Sequence, residues 1–334
     1  MRIGIITFFT FCSVVTLSAG PLEETVKAFE RRPEYVRPFA TIVGTMTNAG
    51  WYQSASVAKE FGFGISLPIS VVYLSKADRQ YSGTWTDDGC VACRSHSGAQ
   101  CGACQATQNF TAPTIFGSIR APQISRSVID LNYNVVGQMP ADPPFSDGVE
   151  ELNALSALPY ATLQATFFAW YTALTLRYMG IPEISGFGLQ LPGVAIQHDF
   201  RHLFEQLPFS LSLAANFTFI SASWTPGEDI VGKLKLNGMS NFLGILAGYS
   251  PKRFIEIFLE AGWDHSFLKP SGELIVDEEP VNPSATITGR NGFRAALNIA
   301  FPIGYHPVIG GIAGSQFGNS VTLFGYRSRP KENR

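Results

Sequence analysis

The residues best suited to chemistry are four cysteines in two pairs: Cys90 with Cys93, and Cys101 with Cys104. Each pair has the Cys-x-x-Cys spacing that can supply thiolates to a tetrahedral zinc ion, with His96 between them as a substitute ligand. In an oxidising compartment, paired cysteines form disulfides instead, here in any of three pairings. We expect a disulfide staple, with a zinc site and free or redox-active thiols as the alternatives.

A second spacing, His198-Asp199-x-x-His202, resembles a metal-ligand pattern. Two histidines at i and i+4 share a face only on a helix, and this segment falls where a predicted strand ends in a turn. We therefore interpret these residues as polar turn residues. The chain has no G-x-S-x-G, Walker A, dinucleotide-binding or H-E-x-x-H pattern, so we expect no catalytic residues and no cofactor other than zinc at the cysteines. A membrane-embedded hydrolase is the weaker alternative.

Two groups of charged and polar residues are candidates to line a pore. Each group falls on one face of a predicted strand, where it would set the electrostatic character of an enclosed lumen. Packing of a closed interior is the alternative, and we favour it. The groups are Arg290, Arg294 and Asn298 on one strand and Glu256, Glu260 and Asp264 on another.

The elements that position these residues show the alternation of β-strands. Residues 61–74, 207–222, 253–264 and 285–303 place large apolar side chains on one face and small or polar side chains on the other. A soluble sandwich also alternates, but its strands average about 5–6 residues. The polar face here consists mainly of Gly, Ser, Thr and Asn. The pattern predicts an all-β fold, a transmembrane antiparallel β-barrel of about 10–14 strands.

The composition agrees with strands in lipid. Of 334 residues, 46% are hydrophobic and 15% are charged, whereas soluble domains carry about 25% charged residues. The mean hydropathy is only +0.11, because the apolar residues are spread out instead of forming long runs. High apolar content and a net charge of −2 exclude disorder. The pI of 6.2, without a basic run, argues against a nucleic-acid partner.

The first 19 residues have the pattern of a secretory signal peptide. Arg2 precedes a short apolar stretch that ends in small residues, and we expect cleavage after Ala19. An uncleaved anchor helix is the alternative. The signal predicts export across the inner membrane, and together with the barrel it predicts a place in the bacterial outer membrane.

The chain divides into four predicted segments: the signal peptide at 1–19, an N-terminal helical segment at 20–57, the barrel at 58–329, and a tail at 330–334. The barrel carries the Cys-rich loop at 80–109. Within the N-terminal segment, four apolar residues have helical spacing. They are Phe39, Ile42, Val43 and Met46. An amphipathic helix ahead of a barrel can plug the lumen or dock at the periplasmic rim, and an ordinary helix of a soluble domain is a further alternative. We expect a short helical plug.

Several stretches resemble an uncharacterised family of predicted outer-membrane barrels, which itself is similar to the long-chain fatty-acid transporter (FadL-like) barrels. In that transporter a helical N-terminal hatch fills the lumen, and the resemblance implies the same for residues 33–55. It implies no catalytic residue. The stretches are Asn-Ala-Gly-Trp-Tyr at 48–52 with Ala55, Phe-Gly-Phe-Gly-Ile at 61–65, Leu-Thr-Leu-Arg-Tyr at 174–178, Gly-Phe-Gly at 186–188, Gln-His-Asp-Phe at 197–200 and Pro-Phe-Ser-Leu at 208–211.

Two functions follow as expectations. The first is a passive channel or transporter for small hydrophobic solutes, with outer-membrane lipid and such solutes as partners. The alternative is a structural or surface-interaction barrel that does not transport and binds a partner through the Cys-rich loop.

Overall fold

The structure is a computed structural model. The signal peptide, the four paired cysteines and Arg290 lie outside the described residues. Those residues are 33–87, 106–118, 125–129, 135–140, 148, 153–184, 186–203, 209–225, 231–252, 255–276, 279–281, 285–289, 291–301, 308–313 and 318–327.

One helix precedes a long series of strands. The elements are α1 (Pro33–Asn48), β1 (Gly62–Tyr73), β2 (Gln80–Asp87), β3 (Ala106–Pro113), β4 (Ser125–Ile129), β5 (Val135–Pro140), β6 (Ala157–Ala161), β7 (Leu163–Ala169), β8 (Thr172–Ile184), β9 (Phe187–Asp199), β10 (Phe209–Trp224), β11 (Val231–Gly232), β12 (Leu234–Lys252), β13 (Ile255–Ser271), β14 (Leu274–Val276), β15 (Glu279–Val281), β16 (Ile287–Thr288), β17 (Gly292–Ala300), β18 (Val308–Ala313) and β19 (Gly318–Arg327). Short 3-10 helices lie at Lys76–Asp78 and Phe200–Leu203.

Ten strands close into a ring in the order β12-β10-β9-β8-β7-β1-β19-β18-β17-β13, and β13 pairs back onto β12. Every pairing in the ring is antiparallel. The short strand β6 continues β7 along β1, and β16 continues β17 along β13. The predicted antiparallel barrel is therefore confirmed, with ten strands around the ring.

The two ends of the barrel differ in their connections. At one end, which we call the turn end, tight turns join β7 to β8 and β12 to β13, and β1 begins and β19 ends there. At the other end, which we call the loop end, residues 74–156 join β1 to β6 and residues 272–286 join β13 to β16. The β2–β3 hairpin belongs to the first of these loops, and the residues between its two strands, which include the four cysteines, lie outside the described ranges.

The outer face of the barrel is apolar and the inner face is largely polar. In β10, exposed Phe209, Leu211 and Leu213 alternate with buried Ser210 and Ser212. This is the alternation of a strand with one face toward lipid and one toward the lumen. It confirms the faces predicted for residues 61–74 and 207–222. Other exposed apolar side chains on the strands are Phe63, Ile65, Leu163, Phe167, Leu174, Leu176, Ile196, Phe217, Phe219, Leu243, Ile245, Ile257, Leu259, Trp263, Phe293, Leu297 and Ile299.

The alternation breaks between β16 and β17. The sequence predicts Ile287 and Phe293 on the same apolar face, and this prediction is wrong. Ile287 is 1% exposed and packs inside the barrel, whereas Phe293 is 62% exposed on the outside. Between Thr288 and Gly292 the register of the pairing with β13 shifts by one residue, and so the inward-facing positions shift as well. Phe258 is also inside, among the buried residues of β13.

Helix α1 lies inside the barrel and fills it. Pro33 opens the helix, where its fixed φ suits the first turn. Residues 38–48 carry no charge, and three buried or half-buried threonines donate their hydroxyls to carbonyls one turn earlier. A helix with this composition can be buried on all sides. No helix in the described part of the chain is both long enough and apolar enough to cross a membrane.

The helix runs from the loop end toward the middle of the barrel. Near its start, the Tyr35 carbonyl accepts a hydrogen bond from the Ile115 N–H of the β1–β6 loop at 3.1 Å. Further along, the Ala40 carbonyl accepts from Ser266 at 3.3 Å. At its end, Asn48 donates to Asp264 at 3.1 Å. Because β13 runs from the turn end to the loop end, these contacts fix the direction of α1.

Candidate functional site

The candidate site is the contact between the barrel wall and residues 33–57, which we call the plug. Two arginines hold the end of α1. Arg177 of β8 donates to the carbonyls of Thr47 and Ala49 at 3.0 and 2.9 Å, and Arg294 of β17 donates to the carbonyl of Asn48 at 2.8 Å. The last carbonyls of a helix lack partners within the helix and carry partial negative charge. The last turn of α1 has no basic residue of its own, so the wall supplies the cations.

Arg294 also joins the plug to two carboxylates of the neighbouring strand. Its guanidinium pairs with Glu260, and its Nε lies 3.5 Å from Asp264 Oδ1. Asn48 Nδ2 donates to the same Asp264 oxygen and, at 3.0 Å, to the Asn241 carbonyl. Arg294 is 2% exposed and Glu260 is 6% exposed. Buried charges of this kind are tolerated only when they are paired and hydrogen-bonded, so each partner depends on the others.

Arg177 is held by an aromatic ring of the plug. Its guanidinium lies 3.9 Å from the centroid of the Trp51 ring, a cation–π contact in a site shielded from water. The Trp51 indole N–H donates to the Thr47 carbonyl at 2.8 Å. Gly193 of β9 gives the ring its space, since a Cβ there would lie 2.9 Å from the indole. The Trp51 ring thus positions the Arg177 guanidinium, and Gly193 leaves the space that the ring needs.

The segment that follows Trp51 is held by two carboxylates at the turn end. We call residues 54–57 the latch segment. Glu256 accepts hydrogen bonds from the Ala55 N–H at 2.9 Å and the Ser54 hydroxyl at 2.6 Å. Asp199 accepts from the Val57 N–H at 2.9 Å. The wall therefore binds the carbonyls of the plug through arginine side chains and its N–H groups through carboxylates.

The loop end is covered by a cap formed by residues 74–79, 113–118 and 153–156. Arg79 ties the cap together by donating to the carbonyls of Asn153 and Leu155, both at 2.6 Å, and of Phe116 at 3.1 Å. Phe116 is buried against Ile42 of the helix. The first part of α1 is thus packed mainly against apolar side chains, whereas residues 47–57 contact both charged and apolar groups of the wall.

A small cavity remains beside the plug toward the turn end. Its volume is about 50 Å³, and Trp51, Tyr52, Phe168, Thr175 and Gln197 are among its lining residues. The cavity has room for a few water molecules.

Five of the six pore-lining candidates face the interior. Arg294, Asn298, Glu256, Glu260 and Asp264 are buried, and all of these except Asn298 contact the plug or its partners as described. Arg290 lies outside the described residues. Sequence reasoning missed Arg177 and Asp199 as functional residues. The signal available for Arg177 was a single basic residue in the middle of an otherwise apolar strand.

The histidine spacing forms a turn at the turn end. His198 Nδ1 lies 2.9 Å from the Thr172 hydroxyl, His202 Nδ1 lies 3.2 Å from the Asp199 carbonyl, and the two imidazole centroids are 5.9 Å apart. Within the described ranges, no group of three or more His, Cys, Asp or Glu residues is placed to hold a metal ion. The zinc or disulfide at Cys90, Cys93, Cys101 and Cys104 stays a prediction, because those residues lie outside these ranges.

A closed antiparallel ring with an apolar exterior and a plugged interior defines this protein as a plugged transmembrane β-barrel. The chain belongs to a family of unknown function, DUF6588, whose model matches residues 2–300. No curated protein matches it in sequence.

Solved structures with a similar architecture include three barrels. The transport unit of the autotransporter AIDA-I from Escherichia coli is 13% identical, with 89% of this chain and 99% of that chain covered and a TM-score of 0.27. The Ralstonia pickettii toluene transporter TbuX is 6% identical, with 88% and 93% covered and a TM-score of 0.20. A triple mutant of the Rh. blastica porin is 11% identical, with 80% and 98% covered and a TM-score of 0.17. These neighbours are bacterial outer-membrane β-barrel proteins, and the likeness is one of general architecture.

Proposed function

We propose that the protein is an outer-membrane barrel whose plug closes a lumen, and that small solutes pass through the lumen when the plug is displaced. The turn end faces the periplasm and the loop end faces the outside, because outer-membrane barrels have short periplasmic turns and longer external loops. Export through the signal peptide at residues 1–19 is part of this proposal. It assigns no enzymatic activity.

The polar character of the inner wall carries the proposal. The wall around residues 47–57 presents charged, hydroxyl or amide side chains on eight of the ten ring strands. Part of this polar wall binds the backbone of the plug, but the buried side-chain atoms Asn216 Oδ1 and Asn298 Nδ2 have no hydrogen-bond partner among the described residues, and a permanently filled interior gains nothing from such groups. A lumen that fills with water hydrates them. The wall residues are Ser66, Gln164, Thr175, Arg177, Gln197, Asp199, Ser212, Asn216, Thr218, Ser240, Glu256, Glu260, Asp264, Arg294 and Asn298.

The same wall bears on the kind of solute. The resemblance to fatty-acid transporters led us to expect small hydrophobic solutes, and that expectation remains a prediction. A hydrophobic solute would have to pass buried carboxylates and guanidinium groups that become hydrated once the plug leaves. We therefore favour small polar solutes.

The test is a plug variant that leaves the wall unchanged. A Cβ at Gly44 of α1 would collide with the side chain of Ser266, so Gly44→Leu should push the helix from the wall. In planar bilayers, we expect discrete conductance steps from Gly44→Leu and few or none from the wild type. Arg37→Leu is the control, because Arg37 is exposed at the start of the same helix. If folded Gly44→Leu protein, identified by heat-modifiable migration on SDS gels, stays as silent as the control, the proposal fails.

The filled interior favours a second candidate, a barrel that does not transport and binds a partner through the loop between β2 and β3. The β2–β3 hairpin carries that loop at the loop end, which is the outer end under the orientation proposed above. This candidate predicts that Gly44→Leu remains non-conducting. It also predicts that removal of residues 88–105 abolishes the attachment of intact cells to their partner.

A further inference from the structure

We infer that the open lumen selects small cations over anions. The inference rests on the proposed function, since it names the substrate class of the same lumen. It follows from which charged side chains face inward and from what the plug does to them.

The inner wall carries more negative than positive charge. Among the side chains that the structure describes on the ring strands, two buried arginines, Arg177 and Arg294, face the interior. Four buried carboxylates face it as well, giving the described wall a net charge of −2. They are Asp199, Glu256, Glu260 and Asp264.

The excess of negative charge is concentrated at the turn end of the lumen. Arg294 lies between Glu260 and Asp264 of the neighbouring strand, so its charge stays compensated when the plug leaves. The N–H groups of Ala55 and Val57 cover the carboxylates of Glu256 and Asp199, and these contacts are lost when the plug leaves. Both carboxylates lie at the turn end, where the lumen opens. Displacement of the plug therefore exposes two carboxylates at the mouth of the pathway.

The basic side chains described at this mouth are exposed. Arg201 lies near Asp199, with its Nε 3.9 Å from the carboxylate, but its side chain is 42% exposed at the rim and its charge is screened by solvent. Lys59 is exposed at the same end, beside the exposed Glu60. Lys235 and Lys269 lie at the loop end, on the outer face of β12 and β13. A narrow passage with low-dielectric walls and one sign of charge concentrates counter-ions and raises their rate of entry.

The first experiment measures ion selectivity in the Gly44→Leu background across a KCl gradient. We expect the reversal potential to lie toward the K⁺ equilibrium potential. Adding Glu256→Gln and Asp199→Asn, which keep the hydrogen-bond acceptors and remove the charge, should move it most of the way to zero. Lys269→Gln, on the outer face, is the matched control and should not move it. A reversal potential near zero or toward Cl⁻ in Gly44→Leu overturns the inference.

A second measurement does not depend on passage through the barrel. Thr175 of β8 is a buried wall residue, so a Thr175→Cys side chain reports on the opened lumen. In Gly44→Leu/Thr175→Cys, we expect a cationic methanethiosulfonate to label this cysteine about tenfold faster than an anionic one, measured by mass spectrometry of its peptide. Equal rates contradict the inference. Cation-preferring labelling without conductance would support the inference and defeat the proposed function.

Discussion

Arg177 and Arg294 grip the same turn of the plug from opposite walls. They lie on β8 and β17, which are five strands apart in either direction around the ring of ten. Arg177 binds the carbonyls of Thr47 and Ala49, and Arg294 binds the intervening carbonyl of Asn48. A helix end held from two opposite sides can neither slide nor rotate without breaking one of these contacts. These two arginines therefore hold the plug in the position that closes the lumen.

Replacement of Arg294 should strongly destabilise the barrel. Arg294→Met leaves Glu260 and Asp264 buried without their cation, and loss of one member of a buried ion pair typically costs about 3–5 kcal/mol. We expect this loss in urea unfolding followed by heat-modifiable migration on SDS gels. The variant Arg294→Met/Glu260→Gln/Asp264→Asn should recover most of it, because no uncompensated charge remains. A triple variant as unstable as the single one would refute the role given to these charges.

Lysine should not replace Arg177. A guanidinium donates to two carbonyls at once and stacks on the Trp51 ring, whereas an ammonium is a point charge without a planar fork. Arg177→Lys should leave a helix carbonyl without its donor, at a cost of about 1–3 kcal/mol in urea unfolding. Lys235→Arg, on the outer face, is the control and should have little effect. Wild-type stability for Arg177→Lys would show that only the charge matters.

The two strand glycines Gly248 and Gly292 should respond differently to alanine. A Cβ at Gly248 would lie 2.5 Å from Ser210 Oγ, 2.7 Å from the Ala55 Cβ and 2.8 Å from Glu256 Oε1, so it presses on the latch segment as well as on the wall. A Cβ at Gly292 meets nothing within 4 Å. Overpacking of this kind costs about 1–3 kcal/mol. Limited proteolysis should cut residues 49–60 faster in Gly248→Ala than in Gly292→Ala. Equal protection in the two variants would mean that the latch segment does not pack on β12.

The free-energy cost of an arginine substitution on the outer face should depend on its depth in the bilayer. Leu213 is exposed within the apolar belt of β10, and Phe209 lies at its edge, where its ring is 5.2 Å from that of Tyr249. An arginine costs about 2–4 kcal/mol at the bilayer midplane and about 0–1 kcal/mol near the interface. Leu213→Arg should therefore impair folding into phospholipid vesicles much more than Phe209→Arg. If both variants fold equally well, this face does not contact lipid.

The strands were predictable because their signal is local. Alternation over residues 61–74 or 207–222 requires only that one face meets lipid, and each strand shows it independently. The inward orientation of Arg294 and Glu256 follows from the same alternation. The charge-free stretch after Arg37 likewise indicates a helix that can be buried.

Other features depend on contacts that no local pattern records. Ring closure pairs Gly64 with Arg327, residues at opposite ends of the chain. The inward position of Ile287 depends on the one-residue register shift between β16 and β17. Arg177 gained its role only because β8 and β17 stand opposite each other around the plug. Each of these depends on the closed ring, which no single segment of the sequence encodes.

The central claim is that the plug closes the lumen, and a reversible tether tests it most directly. The hydroxyls of Thr47 and Ser240 lie within hydrogen-bond distance, so Thr47→Cys/Ser240→Cys should form a disulfide between the plug and β12. Single-channel recording of this pair in the Gly44→Leu background compares oxidised with reduced protein, and the two single-cysteine variants control for the native cysteines. The account predicts a silent barrel when oxidised and conductance after reduction. Equal conductance in the tethered and released states would contradict it.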